Sequence, residues 1–153
     1  MALFDVDFPE DFFSDLLDTE FSEIAEEALS EAAPMLVDSM KNYCAGVIQH
    51  DGDSELVNSF KSNKPKRAKT DAWIVNVNPK GYSSTKMYTA VDSKGKKTHR
   101  KYPVSNALKA IWKEYGIPGR QSPKPFIASA CNSVRGSVMA KMQEVYNRKV
   151  GVK

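Results

Sequence analysis

The chain has 153 residues, 41% of them apolar and 27% charged, with a formal net charge of +3. That length suits one domain with its own core, and the composition excludes a compositionally disordered chain. No apolar run approaches the roughly 20 residues of a membrane-spanning helix. The opening Met-Ala-Leu-Phe-Asp-Val-Asp lacks the basic and apolar regions of a signal peptide, so a soluble protein made in a cytoplasm is expected.

Residues 9–18 read as a short helix, with Pro9 at the first helical position, Glu10 and Asp11 at the positive end of the dipole, and Phe12, Phe13, Leu16 and Leu17 on one face. From Glu20 to about Ile48, Phe21, Ile24, Ala28, Ala32, Met35, Leu36, Met40 and Tyr43 recur at spacings of three and four, which predicts a longer amphipathic helix. Pro34 lies inside it and predicts a kink or break, because its ring removes a backbone bond and crowds the preceding turn. Residues 49–54 form a turn, and 54–60 add a helical turn with Leu56 and Phe60 inward. A basic loop or frayed strand over 61–70 leads to a β-rich stretch, Ala72–Asn78, that stops at Pro79-Lys80-Gly81. Lys86–Val91 and Lys97–Val104 flank Asp92-Ser93-Lys94-Gly95-Lys96 as a hairpin. Ser105 or Asn106 caps a helix over 106–115 that presents Leu108, Ile111, Trp112 and Tyr115, with Gly116 ending it. A stiff loop holding Pro118, Pro123 and Pro125 then reads as a fixed connector between two packed elements, and a last helix runs from Phe126 to about Arg148, with Ile127, Ala130, Cys131, Val134, Val138, Met142 and Val145 on one side. This order predicts an α+β fold: an antiparallel sheet of three to four strands packed by long N-terminal and C-terminal helices.

Charge is divided unevenly along the chain. Residues 1–56 hold 15 acidic residues and one basic residue (Lys41), whereas residues 57–153 hold four acidic and 21 basic. Three readings follow. The basic part could bind nucleic acid, copies could stack acidic face onto basic face, or the two parts could neutralise each other inside one subunit. For nucleic acid the candidates are Lys61, Lys64, Lys66, Arg67 and Lys69, then Lys94, Lys96, Lys97, Arg100 and Lys101, with Trp73, Tyr82, Tyr88 and Tyr102 to stack on bases. Catalytic patterns are absent from the sequence: His50 and His99 are the only histidines, and no nucleophile elbow, phosphate-binding loop, metal pair or dinucleotide fingerprint occurs. We therefore expect no enzyme, no cofactor and no metal. Cys44 and Cys131 sit in helical patterns without metal spacing, which predicts buried free thiols.

The order of segments resembles a phage family. A helix carrying Ala32-Ala33-Pro34-Met35-Leu36 is followed by Asp53-Ser54-Glu55-Leu56-Val57-Asn58-Ser59, a basic strand and a hairpin. Then come Tyr115-Gly116, an Arg120-x-x-Pro123-x-Pro125-Phe126 loop, and a last helix opening Phe126-Ile127-Ala128-Ser129-Ala130. Over about residues 20–148 this is similar to the siphophage tail-component family of neck, tail-completion or head–tail joining proteins. It departs from that pattern where Asp53-Ser54 replaces a Thr-Gly pair. The resemblance implies residues 1–19 as an acidic extension, 20–148 as a single domain and 149–153 as a basic tail. It also implies a virion protein, assembled in the host cytoplasm, that forms a ring, most simply a hexamer. A head connector or stopper would sit above it and a tail tube below, with DNA passing through the lumen without sequence specificity, and with no membrane partner. The acidic helices over 9–33 are then expected to meet a neighbour's basic sheet or loops. Phe12, Phe13, Leu16, Lys64, Lys66, Arg67, Arg120, Lys124 and Phe126 are the expected subunit or connector contacts, and Lys96, Lys97, Arg100 and Lys101 the expected DNA contacts.

Overall fold

A computed structural model describes residues 18–48, 54–70, 72–91 and 93–151. The helix expected over 9–18, the candidate contacts Phe12, Phe13 and Leu16, and the turn holding His50 lie outside the described residues.

The first helix, α1, runs Asp18–Ile48. Its buried stripe is wider than the sequence spacing suggests, adding Ala25, Leu29, Ala33 and Val37 to Ile24, Ala28, Ala32, Leu36 and Met40. One turn beyond Met40, the inward position falls to Cys44, which is 0% exposed, while Tyr43 points outward. Pro34 does not divide the helix. Both Pro34 and Ser30, whose carbonyl loses its i+4 donor, lie on the exposed side, where water can satisfy that carbonyl.

Helix α2 (Ser54–Asn58) buries Leu56. The Ser59 hydroxyl and amide both donate to the Leu56 carbonyl, at 2.6 and 3.1 Å, and so turn the chain into strand β1 (Phe60–Ser62). That is the local work of the Leu-x-x-Ser spacing.

The fold is α+β, and among the described residues its strands form three two-stranded antiparallel ribbons where one sheet was expected. β1 pairs with β4 (Val77–Pro79), and β2 (Lys66–Arg67) pairs with β3 (Trp73–Ile74). Together these make an interrupted hairpin whose basic outer strand is exposed at Lys64, Lys66 and Arg67. The third ribbon joins β5 (Tyr82–Val91) to β6 (Lys97–Ser105). Helix α3 (Asn106–Tyr115) follows directly, with the Ser105 side chain accepting from the Leu108 amide at 3.1 Å.

Helix α4 (Ile127–Val150) packs antiparallel to α1 and continues through residues 149 and 150, so the expected basic tail begins inside a helix. The core has two parts. Near the C-terminal end of α1, Leu36, Met40 and Cys44 meet Leu56, Phe60, Val77, Phe126 and Ala130. Near its N-terminal end, Ala28, Leu29 and Ala32 meet Val75, Met142 and Val145. Among the described residues, no helix is long and apolar enough to cross a membrane.

Candidate interaction surfaces

Part of the charge division is used inside the subunit. Arg148 on α4 reaches Glu27 (2.6 Å) and Glu31 on α1, Lys149 reaches Glu27 (2.6 Å), and Lys141 lies 3.4 Å from Glu31. Hydrogen bonds from Lys149 and Arg148 hold the Glu27 carboxyl below the ordinary glutamate range, and Arg148 does the same for Glu31. Lys141 is raised chiefly by its hydrogen bond to Glu144, one turn on along α4, and Arg148 chiefly by Glu31. The part of α1 expected to meet a neighbour therefore meets α4 of its own chain at these two glutamates.

Helix α3 and the proline loop form a rigid joint built differently from the expected one. Leu108, Ile111 and Trp112 are only half-buried and Tyr115 is 71% exposed, whereas Asn106, Lys109, Ala110, Lys113 and Glu114 face inward. The inward polar groups stitch neighbouring segments together. The Asn106 side-chain amide donates to the Lys80 carbonyl at 2.9 Å, and Lys109 lies 3.6 Å from Glu55. Glu114 accepts from the backbone amides of Phe126 and Ile127 at 2.8 and 2.9 Å. Phe126 stands at the cap position of α4 and has no side-chain oxygen to offer, so a carboxylate on another helix satisfies two of α4's opening donors. Between the helices, Pro118 and Gly119 (φ 69°) occupy the centre of a type II turn closed by the Arg120 amide on the Ile117 carbonyl at 3.0 Å. The Gln121 side-chain amide and the Lys124 backbone amide return to the C-terminal end of α3, donating to the Trp112 and Lys113 carbonyls at 3.1 and 2.8 Å. Arg120 and Lys124 are exposed, and an open groove of about 370 Å³ runs along Tyr115, Pro118, Arg120 and Pro123.

Phe126 is not available as a surface contact. It is 0% exposed and meets Phe60 edge-on at 6.0 Å between ring centroids. The Pro-Phe step opens the helix by burying the ring in the core. Cys131 is half-buried where Cys44 is fully buried, and burial together with the nearby Glu114 pushes its thiol up to about 11.

The β5–β6 ribbon differs from every other element. Along β5, Ser83 is buried and Ala90 half-buried, and the remaining residues are exposed; along β6, Val104 is buried at the base. Tyr82 (68%), Met87 (55%) and Val91 (57%) face solvent, and Tyr88 lies against Tyr102 with centroids 5.9 Å apart. Lys96, Lys97, Arg100 and Lys101 are exposed on or beside the same ribbon. Lys64, Lys66 and Arg67 stand on a different ribbon that shares no ladder with it, and Trp73 packs against the second core cluster, away from any stacking surface.

The base of the β5–β6 ribbon is clamped to α2. Glu55 accepts from the Ser83 hydroxyl (3.2 Å) and from the Ser84 amide (3.2 Å) and hydroxyl, at the register shift between Tyr82 and Met87. These bonds, led by Ser84, lower the Glu55 carboxyl below its ordinary range. Neither a protein-family model, nor a curated protein, nor a solved structure matches the chain.

Proposed function

We propose that the chain is a virion structural protein of a phage neck, a tail-completion or head–tail joining subunit that closes into a ring between the head connector and the tail tube. The observation that carries this reading is the β5–β6 ribbon. Isolated two-stranded hairpins are marginal in water, because neither face is covered. Here strands of 10 and 9 residues project beyond the Glu55 clamp with tyrosine, methionine and valine side chains in solvent. Such an arm gains its second layer from a neighbouring molecule. The kind of assembly is proposed from the order of segments over about residues 20–148, which resembles that of siphophage neck proteins, and the joint at 116–126 ties α3 to α4 through Glu114.

Light scattering with negative-stain imaging of the purified chain tests the reading. A closed ring is expected, at about six times the 17.0 kDa subunit mass for a hexamer. A stable monomer at every concentration, with no joining of heads to tails when the protein is added, would sink it.

A second reading has its own support: the Tyr88–Tyr102 pair, with Arg100 and Lys101 nearby, resembles a stacking surface for single-stranded nucleic acid. That module would retain nucleic acid as a monomer and release it steeply with salt.

A further inference from the structure

We infer that the β5–β6 ribbon of one copy is the receptor for the acidic, phenylalanine-rich segment 1–17 of a second copy. The inference rests on the self-assembly reading above and names the contact that would carry it. Residues 82–105 hold six basic residues and one acidic residue, Asp92. Residues 1–17 hold five acidic residues and no basic one, together with Phe4, Phe8, Phe12 and Phe13. Lys97, Arg100 and Lys101 are exposed and make no ion pair among the described residues, and the apolar groups beside them face solvent. Neither outer edge of the ribbon has a strand partner among the described residues. Charge and apolar content thus match on both sides of the proposed contact.

Placement decides between a contact within one chain and one between copies. Segment 1–17 joins the fold at Asp18, the end of α1 that lies near Val145 and Arg148. The ribbon is clamped at its base by Glu55, just past the opposite end of α1. The 31 residues of α1 span about 46 Å at 1.5 Å per residue, which sets the upper scale of the separation between these two points. Fully extended, 17 residues span at most about 60 Å, so a contact within the chain would consume up to roughly three-quarters of the segment in reaching the ribbon's base. A second copy faces no such limit. An acidic segment at one end and a basic receptor at the other form a head-to-tail contact of the kind that closes rings.

The test uses two full-length variants. One reverses the segment (Asp5→Lys, Asp7→Lys, Asp11→Lys, Asp15→Lys), and the other reverses the ribbon (Lys97→Glu, Arg100→Glu, Lys101→Glu). Lys97, Arg100 and Lys101 are exposed, and circular dichroism checks that helix content is kept in both variants. Each variant alone is expected to self-associate about tenfold or more weakly than the parent, because like charges then face each other. An equimolar mixture should regain the parent mass by light scattering, since each segment finds a complementary ribbon on the other variant. Dissociated variants that stay apart when mixed overturn the inference, and so do variants that remain assembled alone; the latter result leaves the neck reading standing. A monomeric parent overturns both. Retention of a labelled DNA single strand by the parent ribbon, lost on ribbon reversal while copies stay separate, would assign the ribbon to nucleic acid instead.

Discussion

At Gly116 the backbone takes φ 77° and ψ −178°, a region that residues with a Cβ rarely enter, and a Cβ built there would lie 2.6 Å from the Gln121 carbonyl oxygen. Gly119 also has a positive φ, but nothing lies within 4 Å of its Cβ position. Gly116→Ala should therefore cost about 3 kcal/mol or more, strain and clash together, whereas Gly119→Ala should cost closer to about 1 kcal/mol of strain alone. Urea titration of the two variants, with m-values unchanged, checks the contrast; equal losses would show that the close approach at Gly116 carries no energy. The proline and glycine density of this loop was legible in the sequence as a stiff connector. Its fastening was not. Glu114 supplies the acceptor for α4 from a different helix, 12 residues before Phe126, and local patterns record only that the helix lacks a cap of its own. The same blindness misplaced Phe126, because a phenylalanine after a proline reads identically whether its ring turns inward or out.

Helices α1 and α4 were readable because apolar residues at 3.6-residue spacing leave no other face to bury. α3 was readable in its bounds and its Ser105 cap but not in its face, since its most regular apolar stripe, Leu108, Ile111, Trp112 and Tyr115, is the half-exposed one and its inward side is chosen by polar contacts to Glu55, the Lys80 carbonyl and the start of α4. The hairpin was visible from its turn residues, but its isolation was hidden: alternation shows where a strand runs, and pairing between distant segments decides how many strands share a sheet. Between α1 and α4 the ion pairs have a direction with pH. Glu27 and Glu31 titrate lower in the folded chain than the ordinary value of about 4.5, so their contribution is present above that value and is lost as pH falls through their folded values. Thermal melts should show a drop in Tm below about pH 4.5 that is smaller in a Glu27→Gln, Glu31→Gln double variant. An identical acid limb in both proteins would mean these exposed pairs contribute nothing measurable, as many surface pairs do.

Across the whole molecule, the pairing of Glu27 and Glu31 with α4 removes part of the charge separation that the sequence displays. What remains includes an acidic segment 1–17 and a basic β5–β6 ribbon, and on the self-assembly reading that polarity would guide copies into line more than hold them. Attraction between exposed charges acts over about 8–10 Å at ordinary ionic strength and shrinks to roughly 3 Å at molar salt, whereas apolar contacts between side chains such as Tyr88, Met87 and Val91 are not screened. Raising salt should then slow assembly about tenfold or more while leaving the dissociation rate of formed assemblies nearly unchanged. Stopped-flow light scattering for association and dilution for dissociation separate the two rates. A salt effect confined to dissociation would mean that the charges are buried in the finished contact as short-range pairs, and the ribbon's tyrosines and methionine would then not be what holds neighbouring copies together.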